Sequence, residues 1–269
     1  MSKYNKQHRQ NDHWDHKYER LDLKKLLTIL RENRRKIKNN QQLYYDPQQD
    51  QADIKEYYRS AQDFDFTGLA LFYKFQTLVF QTHKNQLPYF LSKDLYLYTW
   101  VDLYPDGSAK SIYSSEKKDP ESLIIEDNDT LRKKYDEFRR RSRTIQVNGF
   151  DSIKELKVFE DHFKMNTEHI VPQSWFDGAE PMKGDLHHLF VCDPDCNISR
   201  SNFPFVDFDF YNPESEDEPI QNNCGVSISF QFEPEHGKGA SARAMLYFFL
   251  RYPKMVKNEF KLKEYLPSV

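Results

Sequence analysis

The sequence predicts an α+β fold, and two observations carry this prediction. Helical and strand-like patterns are intermixed along the 269 residues without a regular strand–helix–strand repeat, which argues against a doubly wound parallel sheet. Aromatic residues make up 15% of the chain, so we expect a core built largely on rings. We expect residues 1–19 to form a flexible polar N-terminus and residues 20–269 to form a single domain.

The first half of the chain predicts several helices and one strand pair. Residues 21–40 carry leucines at near-helical spacing and a basic C-terminal end, which indicates an amphipathic helix. Residues 66–83 are largely apolar and predict a buried helix. Residues 94–116 are rich in tyrosine on both sides of a Pro-Asp-Gly turn, so they predict two strands joined at residues 105–107. Residues 127–143 predict a charged helix.

The second half predicts shorter elements. We expect short strands near residues 166–176 and 185–191, and a short helix or a tight turn at residues 196–202. Residues 225–234 alternate like a strand, after an acidic loop. The last predicted element is a helix that begins near residue 241 and is ended by Pro253.

The overall charge does not by itself identify a binding partner. The formal net charge is −3, so any surface for nucleic acid must be a local patch. The densest positive cluster, which we call the arginine cluster, consists of Arg139, Arg140, Arg141 and Arg143. The cluster is either a solvated helix face or a surface that contacts phosphates.

Cysteine usage and the N-terminus predict where the protein is kept. The odd set of Cys192, Cys196 and Cys224 argues against a disulfide framework. The N-terminus has no apolar stretch typical of a signal peptide, and no apolar run is long enough to span a bilayer. We therefore expect a soluble, reduced, cytoplasmic protein without membrane association, although a non-standard export route stays open.

The segment NTEHIVPQSWF, residues 166–176, is the first that suggests chemistry. Glu168 is a hard oxygen ligand, and its neighbour His169 accepts protons near neutral pH. Adjacent side chains on a regular strand point to opposite faces, so one site can use both only where the strand ends or bends. Pro172 supplies such an ending.

Two later segments add groups suited to phosphodiester cleavage. Hydrolysis needs a base for water, a divalent ion to neutralise developing charge, and a cation that holds the phosphate. His169 suits the first task, a carboxylate with the amide oxygen of Asn197 suits the second, and Arg200 suits the third. Further polar candidates on these segments are Asp185, His187, His188, Lys238 and Arg243.

These segments together resemble the bacterial endonuclease I family, which comprises non-specific nucleases with a ββα-metal (His-Me finger) site. The matching residues, in chain order, are 168–169, 171–176, 185–189, 197, 200–203, 238–239 and 242–243. The segments QLPY, YTWVDLYPDG and SIYSS upstream also look like secreted Gram-positive members. The resemblance covers roughly residues 40–255, with the motif core at about residues 160–255.

The resemblance implies roles residue by residue. Glu168 and Asn197 would bind one Mg²⁺, Mn²⁺ or Ca²⁺ between a β-hairpin and the following helix. His169 would activate water as the general base with Arg200 as a further catalytic residue, and cleavage would leave a 5′-phosphate. Residues expected to support the site are Gln173, Asp185, His187 and His188. Residues expected to bind substrate are Lys183 (by position only), Lys238 and Arg243. The arginine cluster is a further substrate-binding candidate, from its charge and not from the resemblance.

Each residue to which we assign a catalytic or metal-binding role could instead have a purely structural role. His169 could be a hydrogen-bonded core histidine, Asn197 a helix cap, and Arg200 part of a structural salt bridge. A zinc site is a rival constellation, and its ligands would be His187, His188, Cys192 and Cys196.

We therefore predict a metal-dependent endonuclease that acts on DNA, RNA or both with little sequence preference. One alternative is a catalytically inactive or zinc-stabilised module that binds nucleic acid. Another is an intracellular defence or toxin nuclease that an inhibitor protein controls. The sequence indicates no oligomeric state.

Overall fold

The computed structural model describes residues 22–61, 68–148, 166–211 and 223–255. The helices in these ranges are α1 (Leu23–Asn39), α2 (Pro47–Tyr57), α3 (Gly68–Thr82), α4 (Pro120–Asn148), α5 (Pro194–Arg200) and α6 (Lys238–Arg251). One turn of α-helix, Tyr89–Leu91, leads into a π-helix, Ser92–Val101. Short 3₁₀ turns lie at Gln41–Leu43, Arg59–Ala61, Gln173–Trp175 and Leu186–His188.

The strands form small antiparallel pairs. They are β1 (Ala109–Lys110) with β2 (Lys117–Lys118), β3 (Thr167–His169) with β4 (Leu189–Val191), and β5 (Gly225–Ile228) with β6 (Gln231–Pro234). This mixture of helices and small antiparallel sheets confirms the predicted α+β class. The predicted N-terminal segment, residues 1–19, lies outside the described residues.

Helix α1 confirms the amphipathic helix that the leucine spacing predicted. The side chain of Asp22 accepts a hydrogen bond from the backbone N–H of Lys24 at the N-cap, and basic residues occupy the last turn. The apolar face buries Leu26, Leu30 and Ile37 against the π-helix and α4. This cluster is the main core behind the β3–β4 pair.

Residues 92–101 form a π-helix, so the strand predicted there was wrong. The backbone N–H of Asp102 donates to the carbonyl of Leu97, five residues earlier. Lys93 and Tyr98 have the same spacing, and both contact Oδ2 of Asp127, at 3.0 Å and 2.5 Å. The alternating tyrosines have the two-residue period of a strand. The contacts of Lys93 and Tyr98 with the buried carboxylate of Asp127, however, require the five-residue spacing of a π-helix.

Helix α3 confirms the predicted helix but not its burial. Leu78 is its one buried residue, whereas Leu69 and Phe80 are 73% and 66% exposed. Among the described residues, α3 packs on α6 and on the turn Arg59–Ala61, which leaves its other faces open.

The segment predicted as a single strand, residues 225–234, is instead the β5–β6 hairpin. Ser229 and Phe230 form its tip with φ angles of 52° and 62°. Positive φ at both positions is the geometry that a tight two-residue hairpin turn requires. The other late predictions hold, since α5 occupies the predicted short helix and α6 ends just before Pro253.

A disulfide between Cys196 and Cys224 joins α5 to the residue before β5. The expectation of unpaired cysteines was therefore wrong. An odd cysteine count leaves one residue over, and this is the buried Cys192. The bond removes the support that the cysteine count gave to a reducing compartment.

A buried polar network fixes the start of β3. Tyr98 contacts both Asp127 and the hydroxyl of Thr167, each at 2.5 Å. The second oxygen of Asp127 accepts the backbone N–H of Asn166 at 3.1 Å. Lys93, which is 2% exposed, supplies the counter-charge. The π-helix, α4 and β3 therefore share one set of hydrogen bonds next to the candidate site.

No helix within the described ranges has the length and apolar character needed to cross a membrane.

Candidate active site

The β3–β4 pair and helix α5 bring the candidate residues together. In the antiparallel register Glu168 lies opposite Phe190 and His169 lies opposite Leu189. The pairing continues by one hydrogen bond, from the N–H of Ile170 to the carbonyl of His188, and a 3₁₀ turn then begins after Pro172. The Glu-His pair therefore lies at the end of its strand, as the sequence predicted.

His169 is held at both ring nitrogens. Nε2 lies 2.9 Å from the carbonyl oxygen of Lys183, which can only accept, so Nε2 carries the proton. Nδ1 is then the unprotonated nitrogen, and the side-chain amide of Gln173 donates to it at 3.3 Å. Burial, with a smaller contribution from His188, holds the pKa of His169 well below its ordinary value. The imidazole is therefore neutral at pH 7 and can accept a proton at Nδ1.

Aromatic neighbours fix the plane of this imidazole. The Tyr89 ring lies 5.1 Å from the His169 ring, and the His188 ring lies 5.5 Å away. His188 is fully buried, and its Nε2 donates to the carbonyl of Met182 at 2.7 Å. His188 thus braces His169 from behind, as the sequence analysis anticipated.

Glu168 is a buried carboxylate that is bonded on one side. Its Oε1 accepts the hydroxyl of Tyr113 at 2.7 Å and lies 3.3 Å from Nη1 of Arg200. Burial raises the pKa of Glu168, and the charge of Arg200 and the Tyr113 hydroxyl partly offset this rise. Both of these side-chain contacts use Oε1, and the backbone N–H of His169 is a further donor to the carboxylate.

Asn197 on α5 is oriented by the neighbouring strand. Its Nδ2 donates to the carbonyl of Thr167 at 3.0 Å, which leaves Oδ1 as the acceptor on offer. A buried carboxylate oxygen and an amide oxygen form a donor set that suits Mg²⁺, Mn²⁺ or Ca²⁺. The residue types present therefore suit a hard divalent ion.

Arg200 lies behind the site rather than at its surface. The residue is 1% exposed, its Nη2 donates to the carbonyl of Ile170 at 2.5 Å, and its guanidinium lies 4.7 Å from the Phe205 ring. It also contacts the carbonyl of His169 at 3.4 Å. These contacts fix the end of β3 and the carboxylate of Glu168.

Lys183 reaches the site through its main chain and its side chain. Its carbonyl holds His169, and its ammonium lies 5.1 Å from the centre of the Tyr89 ring. The positive charge is close enough to His169 to contribute to the lowering of its pKa. The residue chosen only by its position in the chain is thus brought next to the imidazole.

Asp185 and His187 belong to a second cluster, on the side of residues 183–185 that faces away from His169. Asp185 accepts Nδ1 of His187 at 2.8 Å and the hydroxyls of Tyr247 and Tyr252 at 2.9 Å and 2.8 Å. Although burial acts to raise it, these bonds and the charge of His187 keep the pKa of Asp185 below its ordinary value. His187 therefore does not contact His169 directly, in contrast to its neighbour His188.

The candidate substrate-binding residues are more scattered. Lys238 is paired with Asp207 and Glu233, and Arg243 is exposed on α6. The arginine cluster lies on the second half of α4, where Arg140 bonds both oxygens of Glu137. The other side chains of the cluster, those of Arg139, Arg141 and Arg143, lie outside what the structure describes. The role of the cluster stays a prediction.

One of the four residues proposed as zinc ligands, Cys196, is not free to bind a metal ion. Cys196 is bonded to Cys224 and has no thiolate to offer. Burial raises the pKa of the Cys192 thiol well above its ordinary value. Within the described residues no group of at least three His, Cys, Asp or Glu side chains is placed to hold a metal ion.

Several residues that contact the candidate site were not predicted from the sequence. Tyr113 binds Glu168, and Tyr89 packs on His169. Glu180 accepts the N–H of Tyr89 and the N–H of Gly184, each at 2.8 Å, and so joins the two segments next to the imidazole. Both tyrosines fall in segments that resemble the family, but nothing in their local pattern identifies their partners.

Comparison with known proteins gives one match. The family model described as Endonuclease I matches residues 74–264, a range that includes all the candidate residues discussed above. No curated protein and no solved structure matches the chain.

Proposed function

Because the chain belongs to the endonuclease I family and is therefore a nuclease, we propose that it hydrolyses phosphodiesters with one divalent ion and His169 as general base. One observation carries the proposal. The Lys183 carbonyl fixes the proton of His169 on Nε2, so Nδ1 is the unprotonated nitrogen, and Glu168 and Asn197 lie on the same strand and on the adjoining helix. In this proposal β3, β4 and α5 form the ββα-metal core.

The proposed step begins at Nδ1 of His169. This nitrogen takes a proton from a water molecule, and the oxygen of that water forms a bond to phosphorus. The bond between phosphorus and the 3′-oxygen breaks, and the 3′-oxygen takes a proton from solvent. The products therefore carry a 5′-phosphate and a 3′-hydroxyl. The long bond from Gln173 to Nδ1, 3.3 Å, is one that a bound water can replace.

Glu168 and Asn197 would hold Mg²⁺ or a similar ion through Oε2 and Oδ1. The ion would supply positive charge next to the phosphate. Tyr113 and Arg200 hold the carboxylate of Glu168, while the Thr167 carbonyl holds the amide of Asn197, so the protein presents both oxygens in fixed positions. Lys183 supplies a further cation for the phosphate.

The proposal covers both DNA and RNA, because the proposed contacts are made to the phosphate. Contacts of this kind do not read sequence, which supports cleavage with little sequence preference. Affinity that rests on phosphates should fall as the salt concentration rises.

The decisive experiment incubates the purified protein with plasmid DNA and with total RNA, each in Mg²⁺ or in EDTA. We expect cleavage in Mg²⁺ and none in EDTA. His169→Ala should lower kcat by about 10²–10⁴-fold, because the base is removed, while binding of nucleic acid persists. His236→Ala, a substitution of an exposed histidine before α6, is the matched control.

Two results would contradict the proposal. Normal turnover by His169→Ala would remove this residue from the mechanism. Binding of nucleic acid without cleavage in any divalent ion would favour the alternative of an inactive binding module.

A further inference from the structure

The unprotonated nitrogen of the candidate base is covered by the side chain of Gln173. Nε2 of Gln173 donates to Nδ1 of His169 at 3.3 Å. The other imidazole nitrogen is bonded to the carbonyl of Lys183, and the rings of Tyr89 and His188 lie 5.1 Å and 5.5 Å from the imidazole ring. Gln173 therefore occupies the side of the imidazole at which a proton can be accepted.

The backbone of Gln173 is held in place, so its side chain moves more easily than its main chain. The Gln173 carbonyl accepts the N–H groups of Phe176 and Gly178 at 3.2 Å and 2.9 Å, and Trp175 and Phe176 are buried. The side chain is partly buried and ends in an amide whose last torsion is broad. A molecule that displaces this amide from Nδ1 of His169 therefore stays within its reach.

An attacking water must be oriented as well as deprotonated. Proton transfer to Nδ1 of His169 requires the water oxygen within about 2.6–3.2 Å of this nitrogen, where the water takes the place of the Gln173 amide. Water has a second O–H, and its direction decides whether a lone pair of the oxygen faces phosphorus. An acceptor next to Nδ1 fixes that direction, and in GTPases a glutamine orients the attacking water in the same sense.

We propose that Gln173 orients the attacking water for His169. The amide turns so that Oε1 accepts one O–H of the water while the other O–H donates to Nδ1, and a lone pair of the water oxygen then faces phosphorus. Nδ1 takes one proton as the new bond to phosphorus forms and the bond to the 3′-oxygen breaks, and the second proton stays on the oxygen of the new 5′-phosphate. The inference rests on the proposed function, and it assigns Gln173 to the chemical step rather than to substrate binding.

The first arm of the test examines the contact without catalysis. The NMR resonance of Nδ1 of His169 is recorded in the metal-free protein in EDTA, because this resonance moves when a hydrogen-bond donor is removed. We expect a shift in Gln173→Met, whose side chain has a similar length but no N–H and only a weak acceptor. Gln42→Met, at an exposed position after α1, should leave the resonance unchanged. An unmoved resonance in Gln173→Met would overturn the proposal.

The second arm measures single-turnover cleavage of an oligonucleotide in Mg²⁺. Gln173→Met should lower the rate at saturation about 10–100-fold, because the water loses its orientation, whereas the protein concentration at half-saturation should change less than about twofold. Gln173→Ala, a second variant, should be slowed to a similar extent, and Gln42→Met should match the wild type. A wild-type rate in both Gln173 variants would overturn the proposal.

The third arm separates orientation of water from a general structural role. Methanol can replace water as the nucleophile, but its single O–H must go to Nδ1, so Oε1 of Gln173 has no O–H to accept. In mixtures of water and methanol, Gln173→Met should therefore give a larger fraction of the methyl ester of the 5′-phosphate than the wild type gives. A structural role would slow both products equally, so an equal fraction would overturn the proposal. Failure of the wild type to cleave anything, or normal cleavage by His169→Ala, would instead refute the proposed function itself.

Discussion

At the scale of single residues, the site depends on backbone carbonyls that select one state of a side chain. The carbonyl of Lys183 fixes the tautomer of His169, and the carbonyl of Thr167 turns the amide of Asn197. Both carbonyls belong to the backbone, so a side-chain substitution at Lys183 or Thr167 leaves both hydrogen bonds in place. If the proposed function holds, the side chains of His169 and Asn197 are therefore sensitive to substitution, and their supports are sensitive mainly to changes in backbone position.

Asp102, at the end of the π-helix, makes stability depend on pH. Its Oδ2 accepts the N–H of Val191 at 2.6 Å, and burial, partly offset by this bond, raises its pKa to about 7. The folded pKa lies above the unfolded value of 3.8, so this group stabilises the fold fully at low pH and loses that contribution as pH rises through 7.

We predict that Asp102→Asn, which keeps the acceptor but cannot ionise, gains stability relative to the wild type as pH rises. The gain between pH 5 and pH 8 should be about 1–2 kcal/mol in the free energy of unfolding. Urea unfolding at the two pH values measures it. A difference between the two proteins that does not change with pH would show that the carboxylate stays ionised throughout.

The sequence could indicate the candidate site residues because they form an ordered motif, and their catalytic roles stay predictions. Glu168, His169, Asn197 and Arg200 were all identified in this way, and the structure places them on adjoining elements. Their partners could not be predicted, since Tyr113 lies 55 residues from Glu168 and nothing local specifies the contact. The burial of Arg200 likewise depends on Phe205 and on backbone carbonyls, which composition does not encode.

At the scale of elements, the site requires two segments to cross closely at Gly184. A Cβ atom at this position would lie 2.1 Å from the carbonyl oxygen of Leu87 and 2.9 Å from the backbone nitrogen of Tyr89. These are backbone atoms that cannot rotate away, so the segments would have to separate. Lys183, the preceding residue, would then shift relative to His169.

We predict that Gly184→Ala lowers kcat at least about tenfold through loss of the bond from the Lys183 carbonyl to Nε2 of His169. Gly239→Ala is the matched control, because the nearest contact of its Cβ would be 3.3 Å from the flexible end of Arg243. Steady-state kinetics on plasmid DNA gives the comparison. Equal activity of the two variants would mean that the crossing does not set the position of the base.

Elements were predictable where local spacing agrees with the tertiary contacts. The leucines of α1 fall on one helical face that is buried, and the prediction held. The π-helix was not predicted, because the alternating tyrosines have the period of a strand. The contact that favours the helix is made by Asp127, 29 residues beyond Tyr98. The β5–β6 hairpin was not predicted, because Ser229 and Phe230 are not the residues typical of a two-residue hairpin turn.

At the scale of the whole molecule, the buried pair of Lys93 and Asp127 connects the helical core to β3. The two side chains are 3% and 2% exposed, and the same carboxylate bonds Tyr98 and Asn166. Removal of the Lys93 charge leaves the Asp127 carboxylate without its ammonium partner in the interior, whereas Lys93 also pairs with Asp94.

We predict that Lys93→Met lowers the free energy of unfolding by about 3–5 kcal/mol. Lys93→Met combined with Asp127→Asn should recover a large part of this loss, since the amide still accepts hydrogen bonds and carries no charge. Chemical denaturation of the wild type, Lys93→Met, Asp127→Asn and the double variant measures the coupling. If the changes in the free energy of unfolding are strictly additive, Lys93 and Asp127 do not interact energetically.

The same pair restricts how the chain can change over evolutionary time. Replacement of Lys93 alone passes through an intermediate with an isolated interior charge at Asp127, so this replacement should be purged unless Asp127 changes with it. Both positions should therefore vary together among descendants, with charged residues retained at both or lost at both. Such co-variation would identify distant family members that keep this route from the helices to the strand, and it would separate them from members in which the strand is supported by other means.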